Sequence, residues 1–103
     1  MDCSVEFMII GSAGDAKSHA EEAVECAKNG DFDGAEMHME KANEGLTQAH
    51  KAQTDLIFKA SNGEEIDINI FLIHAQDHLT MATMAIANAR QFIDLYKIVL
   101  NKQ

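Results

Sequence analysis

The chain has 103 residues, the size of one domain, and no proline, so long uninterrupted helices are open to it. Seventeen acidic residues against eight basic ones give a net charge of -9, which repels a phosphate backbone and excludes non-specific nucleic-acid binding. Apolar residues make up 47% but aromatics only 6%, so the core is expected to consist of Ala, Leu, Ile and Met, residues that suit close helix packing.

The first predicted helix runs from about Val5 to Lys28. Phe7, Ile10, Ala13, Ala20, Ala23, Val24 and Ala27 give it a loose apolar face, and Gly11 and Gly14 permit a bend. Asn29-Gly30-Asp31 follows: Asn29 and Gly30 suit a left-handed helix end, and Asp31 suits the next N-cap. So short a connection predicts an antiparallel helical hairpin. The second helix runs from about Phe32 to Lys59, with Phe32, Ala35, Met39, Ala42, Leu46, Ala49, Gln53, Leu56 and Ala60 at threes and fours. Ser61-Asn62-Gly63 ends it, and Glu64-Glu65 are placed to face the positive end of a third helix.

That third helix is predicted from about Ile66 to Asn101, roughly 50 Å long. Ile68, Leu72, Ala75, Leu79, Ala82, Ile86, Ala89, Ile93, Tyr96 and Leu100 form one heptad stripe. A second passes through Ile66, Ile70, Ile73, Asp77, Thr80, Met84 and Ala87, and Asp77 lies about 160° from Leu79 on the helical wheel. A helix apolar on two opposite faces needs one partner within the subunit and one beyond it. The fold class is therefore all-α, a single three-helix up-down-up domain over residues 1–103 that self-associates through its third helix.

Within this apolar helix stand His74, Gln76, Asp77 and His78. His74 and His78 are one turn apart on one side, at the edge of the self-association stripe that carries Asp77. A lone buried carboxylate is costly, and three meeting on a trimer axis would need protons or a hard cation such as Mg²⁺. By spacing alone the set is open to several readings. It can be hydrogen-bonded structure, a phosphoryl-carrying histidine, or a transition-metal site using His74, Asp77 and His78.

The segment from His74 to Leu79 resembles the phosphorylation-site signature of enzyme IIA of the lactose/cellobiose family of the phosphoenolpyruvate-dependent sugar phosphotransferase system. Gly14-Asp15-Ala16-Lys17-Ser18, Asn29-Gly30-Asp31-Phe32, Ala49-His50 with Gln53-Thr54, and Gly63-Glu64-Glu65 resemble further family stretches, in the same order. The resemblance implies a nine-helix homotrimer. It implies that His74 accepts a phosphoryl group from phospho-HPr and passes it to a cysteine of the IIB component while the membrane IIC component imports the sugar. It also implies an axial metal ion, Mg²⁺, shared by Asp77 of three subunits, with Gln76 and His78 as polar support. The chain departs from the family at Thr80, where Met is common. The transported sugar is not encoded here: lactose, cellobiose, chitobiose and other β-glucosides fit equally.

The opening residues Met1 to Gly14 carry no basic leader region, and no apolar run reaches membrane length, so a cytoplasmic location with membrane contact only through IIC is expected. Cys3 and Cys26 lack metal-type spacing and are expected as reduced thiols. His50 reads as an interhelical hydrogen-bond partner, and His19 and His38, set among charges, are expected toward solvent.

Overall fold

The computed structural model describes residues 3–101, in three helices: α1 (Ser4–Lys28), α2 (Phe32–Ser61) and α3 (Ile70–Asn101). They form an up-down-up bundle measuring 58 × 21 × 18 Å. The first turn closes as its sequence dictates. Gly30 takes φ +82°, the left-handed conformation that only glycine enters cheaply. Its N–H donates to the Ala27 carbonyl at 3.0 Å, and that of Asp31 to the Cys26 carbonyl at 2.9 Å. The Asp31 carboxylate then accepts from the Gly34 N–H at 2.9 Å, capping α2.

The third helix starts later than the stripe suggested. Residues 64–69 are not helical, and Asn69 caps α3 by accepting the Leu72 N–H on Oδ1 at 3.0 Å. Ile66, Ile68 and Ile70 alternate with Asp67 and Asn69, which is the period of an extended segment as much as the start of a helical one. The Asn69 side chain donates to the Asp67 carbonyl and carboxylate at 3.3 Å while accepting from the Leu72 N–H, which favours the cap over another turn. Ile68 therefore leaves the buried stripe and is 76% exposed. The first turn of α3 holds no acidic residue, so Glu64 and Glu65 do not sit at its N-terminus.

The core is an alanine ladder. Ala13, Ala16, Ala20, Ala23 and Ala27 of α1 meet Ala35, Ala42, Ala49 and Ala52 of α2 and Ala75, Ala82 and Ala89 of α3. Ile9 and Ile93 are the largest fully buried side chains. Small residues let backbones approach closely: a Cβ on Gly45 would lie 2.9 Å from the Ser12 carbonyl oxygen. α1 is the common neighbour, since α2 and α3 share only a short contact. The inner face of α3 thus packs chiefly on α1 rather than equally on both helices.

The outer face of α3 confirms the two-sided reading. Ile70, Ile73, Met84, Phe92, Leu95 and Ile98 are exposed while Ala75, Leu79, Ala82, Ala89 and Ile93 are buried. A core made mostly of alanines buries little apolar area per residue, and many of the large apolar side chains stand outside it. Among the described residues no helix is long and apolar enough to cross a membrane.

Candidate functional site

The second and third turns of α3 carry the candidate residues. His74 is exposed and His78 half-buried, and the i, i+4 spacing stacks them on one face. Their Nε2 atoms are 3.0 Å apart and the rings meet edge-on, with centroids 4.5 Å apart. One nitrogen of such a pair donates its proton and the other offers its lone pair. His74 and Asp77 share an open depression of about 310 Å³ with Ile70, Phe71 and Ile73. Phe71 is braced from α1 by Phe7, whose ring centroid lies 5.1 Å away. That aromatic pair joins α1 to the apolar wall beside His74, and nothing in the local sequence of α3 announces it.

Gln76 faces the other way. Its side-chain oxygen accepts a short hydrogen bond from the Gln53 amide of α2, so it fixes α3 against α2. Gln53 and Gln76 line a second depression of about 280 Å³ with His50, Thr80 and Met84. His50 is exposed and its side chain makes no hydrogen bond among the described residues; the interhelical bond expected of it is made by Gln53, one turn on. Asp77 is exposed on the outer stripe. It does not converge with His74 and His78 into a three-ligand group. Among the described residues the group that does converge is His19, Glu22 and His38.

Both thiols are free. Partial burial raises each above its ordinary pKa, and neighbouring carboxylates add to this, Glu6 at Cys3 and Asp31 and Glu22 at Cys26. Raised thiols are protonated at neutral pH and poor nucleophiles, and neither cysteine lines the depression beside His74.

The family model described as "PTS system, Lactose/Cellobiose specific IIA subunit" matches residues 4–97. The chain belongs to this family. The PTS lactose-specific EIIA component of Staphylococcus epidermidis is 44% identical over 91 residues, 88% of each chain. The lichenan-specific phosphotransferase enzyme IIA component of Bacillus subtilis is 36% identical over 97 residues, 94% of this chain and 88% of that one. The crystal structure of the PTS cellobiose-specific enzyme IIA from Bacillus anthracis matches with a TM-score of 0.95 at 40% identity, covering 100% of this chain and 97% of its own. A chain from the solution structures of the Escherichia coli IIA(chitobiose)–HPr complex matches with a TM-score of 0.78 at 33% identity, covering 92% of each. Alignment over nearly the whole length makes the three-helix IIA subunit the unit in which the His74–His78 pair is to be understood.

Proposed function

We propose that this IIA subunit is a phosphocarrier that takes a phosphoryl group from phospho-HPr onto His74 and passes it to a cysteine of the IIB component. The observation that carries this reading is the exposed His74 imidazole, paired with His78 at 3.0 Å on the rim of an apolar depression. For His74 to attack, its Nε2 must hold a lone pair, so the proton between the rings belongs to His78. The His74 nitrogen bonds to phosphorus, and the bond between phosphorus and the HPr residue breaks. The incoming group displaces the His74–His78 contact. The His78 N–H is then free to turn to a phosphoryl oxygen, where it offsets developing charge. In the second step the IIB sulfur attacks phosphorus, the P–N bond breaks, and its electron pair returns to the ring. Ile70, Phe71 and Ile73 surround the site with apolar surface that limits hydrolysis and offers the same docking face to both partners in turn. HPr as donor is supported by the complex in which the chitobiose IIA relative was solved.

The same reading makes the active form a homotrimer. The exposed stripe of Ile70, Ile73, Met84 and Ala87 is the apolar surface a helical subunit covers by packing against copies of itself. Asp77, exposed on that stripe, would bring one carboxylate per subunit toward the axis. Three such groups suit the oxygen donor set of Mg²⁺, whose charge would offset their repulsion. The test is phosphorylation by phosphoenolpyruvate, enzyme I and HPr. The wild-type chain gains one phosphoryl group, and His74→Ala gains none while keeping its helical circular dichroism. Normal labelling of His74→Ala would remove the residue from the role.

A further inference from the structure

A second pair of imidazoles meets on the α1–α2 hairpin. His19 and His38, expected toward solvent, have side chains only 21% and 18% exposed. Their rings stack with centroids 5.2 Å apart. The helix register explains the meeting. Ser12 and His19 lie one heptad apart on α1, and Gly45 and His38 one heptad apart on α2, so the close backbone approach at Gly45 continues into the histidine pair. The residues after His19, Ala20 and Glu21, border Ala85, Asn88 and Ala89, about three turns of α3 beyond His74. The two histidine pairs are separate.

Three ligating atoms face one another here. His19 Nδ1 and His38 Nδ1 are 3.0 Å apart, His38 Nδ1 and Glu22 Oε2 3.2 Å, and His19 Nδ1 and Glu22 Oε2 3.9 Å. The circle through three points with those separations has a radius of about 2.0 Å, which is the bonding distance of Zn²⁺ to imidazole nitrogen and carboxylate oxygen. Two neutral imidazoles bring at most one Nδ1 proton each and the carboxylate none: a single proton on His38 must be shared between His19 Nδ1 and Glu22 Oε2, and a single proton on His19 leaves the lone pairs of His38 and Glu22 facing each other at 3.2 Å. A divalent cation satisfies all three at once. The nitrogen donors favour a transition metal over Mg²⁺. With Nδ1 on the metal, the distal Nε2–H of His19 faces Asp15 Oδ2 at 3.7 Å, the outer carboxylate that commonly orients a metal-bound imidazole. Glu22 is exposed enough to admit the ion and leave a fourth position for water.

We propose that His19, Glu22 and His38 form a Zn²⁺ site that clips α1 to α2, with Asp15 orienting His19. The experiment titrates Zn²⁺ into untagged full-length protein against a competing chromophoric chelator, in excess Mg²⁺ to occupy oxygen-only sites. A His74→Ala/His78→Ala variant removes the other imidazole pair. That variant is expected to bind one Zn²⁺ per chain, with a raised thermal midpoint. His38→Ala and Glu22→Gln in the same background are expected to weaken binding at least about tenfold and to lose the thermal shift. Helical circular dichroism without metal confirms that each variant is folded. No Zn²⁺ bound by the His74→Ala/His78→Ala variant, or binding unchanged by His38→Ala, overturns the proposal. Neither result bears on phosphoryl transfer at His74.

Discussion

Gly45→Ala sets two terms of opposite sign against each other. An alanine in mid-helix is favoured over glycine by about 1 kcal/mol through helix propensity. At position 45 the new methyl would stand 2.9 Å from the Ser12 carbonyl oxygen and 3.2 Å from the Ala16 Cβ. Ordinary contact begins near 3.5 Å, so α1 and α2 must part by roughly 0.5 Å, and the obstacle is backbone that cannot rotate aside. Overpacking of this kind costs about 1–3 kcal/mol, and a radial gap of half an ångström forfeits about a quarter of each neighbouring alanine contact. The clash prevails, leaving a net loss of about 1 kcal/mol and a fall in thermal midpoint of about 4–8 °C for a domain this size. Gly11→Ala is the control, because its Cβ would meet nothing within 4 Å. Propensity then acts alone and stabilises by about 0.5–1 kcal/mol. Thermal melts at one fixed protein concentration read both variants, since oligomer stability depends on concentration. Stabilisation by Gly45→Ala, or shifts of the same sign in both variants, would refute the close helix approach.

In the proposed trimer, Asp77→Leu would replace three carboxylates brought toward the axis with apolar contact, so the trimer is expected to persist in chelator and to gain on the order of 1–4 kcal/mol; a monomer by analytical ultracentrifugation counts against the axial placement. Arg90 grips Glu36 with both arms, Nη1 to Oε1 at 2.6 Å and Nη2 to Oε2 at 2.9 Å, tying the start of α2 to α3. These hydrogen bonds hold the Glu36 carboxyl below the usual carboxylate range. A depressed folded-state pKa means stability that is present above the ordinary glutamate value and lost as pH falls through the lowered one. The wild type is therefore expected to exceed Arg90→Gln by no more than about 1 kcal/mol at neutral pH, the pair being half-exposed. Urea titrations should show the gap closing in acid, and a gap that widens there would contradict this account.

Much of the fold was legible because local chemistry and global packing agree. The Asn29-Gly30-Asp31 turn specifies the hairpin by itself, and the inner stripe of α3 from Ala75 to Ile93 is buried as its period requires, with Ile86 half-buried. The start of α3 was not, because the alternation from Ile66 to Ile70 fits two periods and the Asn69 cap decides between them. The central position of α1 follows from which alanines nest together, and periodicity is silent on that. The pairing of His74 with His78 could be read from i, i+4 spacing alone. The pairing of His19 with His38 could not, since it depends on the register between two helices, which Gly45 fixes by its lack of a side chain. Gln53 and Phe7 were missed as supports of the site for the same reason: each reaches α3 from another helix.

Phosphoryl carriage is proposed for one imidazole of α3, that of His74. Site-resolved mass spectrometry of the wild-type chain, loaded by phosphoenolpyruvate, enzyme I and HPr and digested at alkaline pH, tests it most directly. The phosphoryl group is expected on His74 and is lost when IIB is added. A group found on His78 or His50, with His74 unmodified, would contradict it.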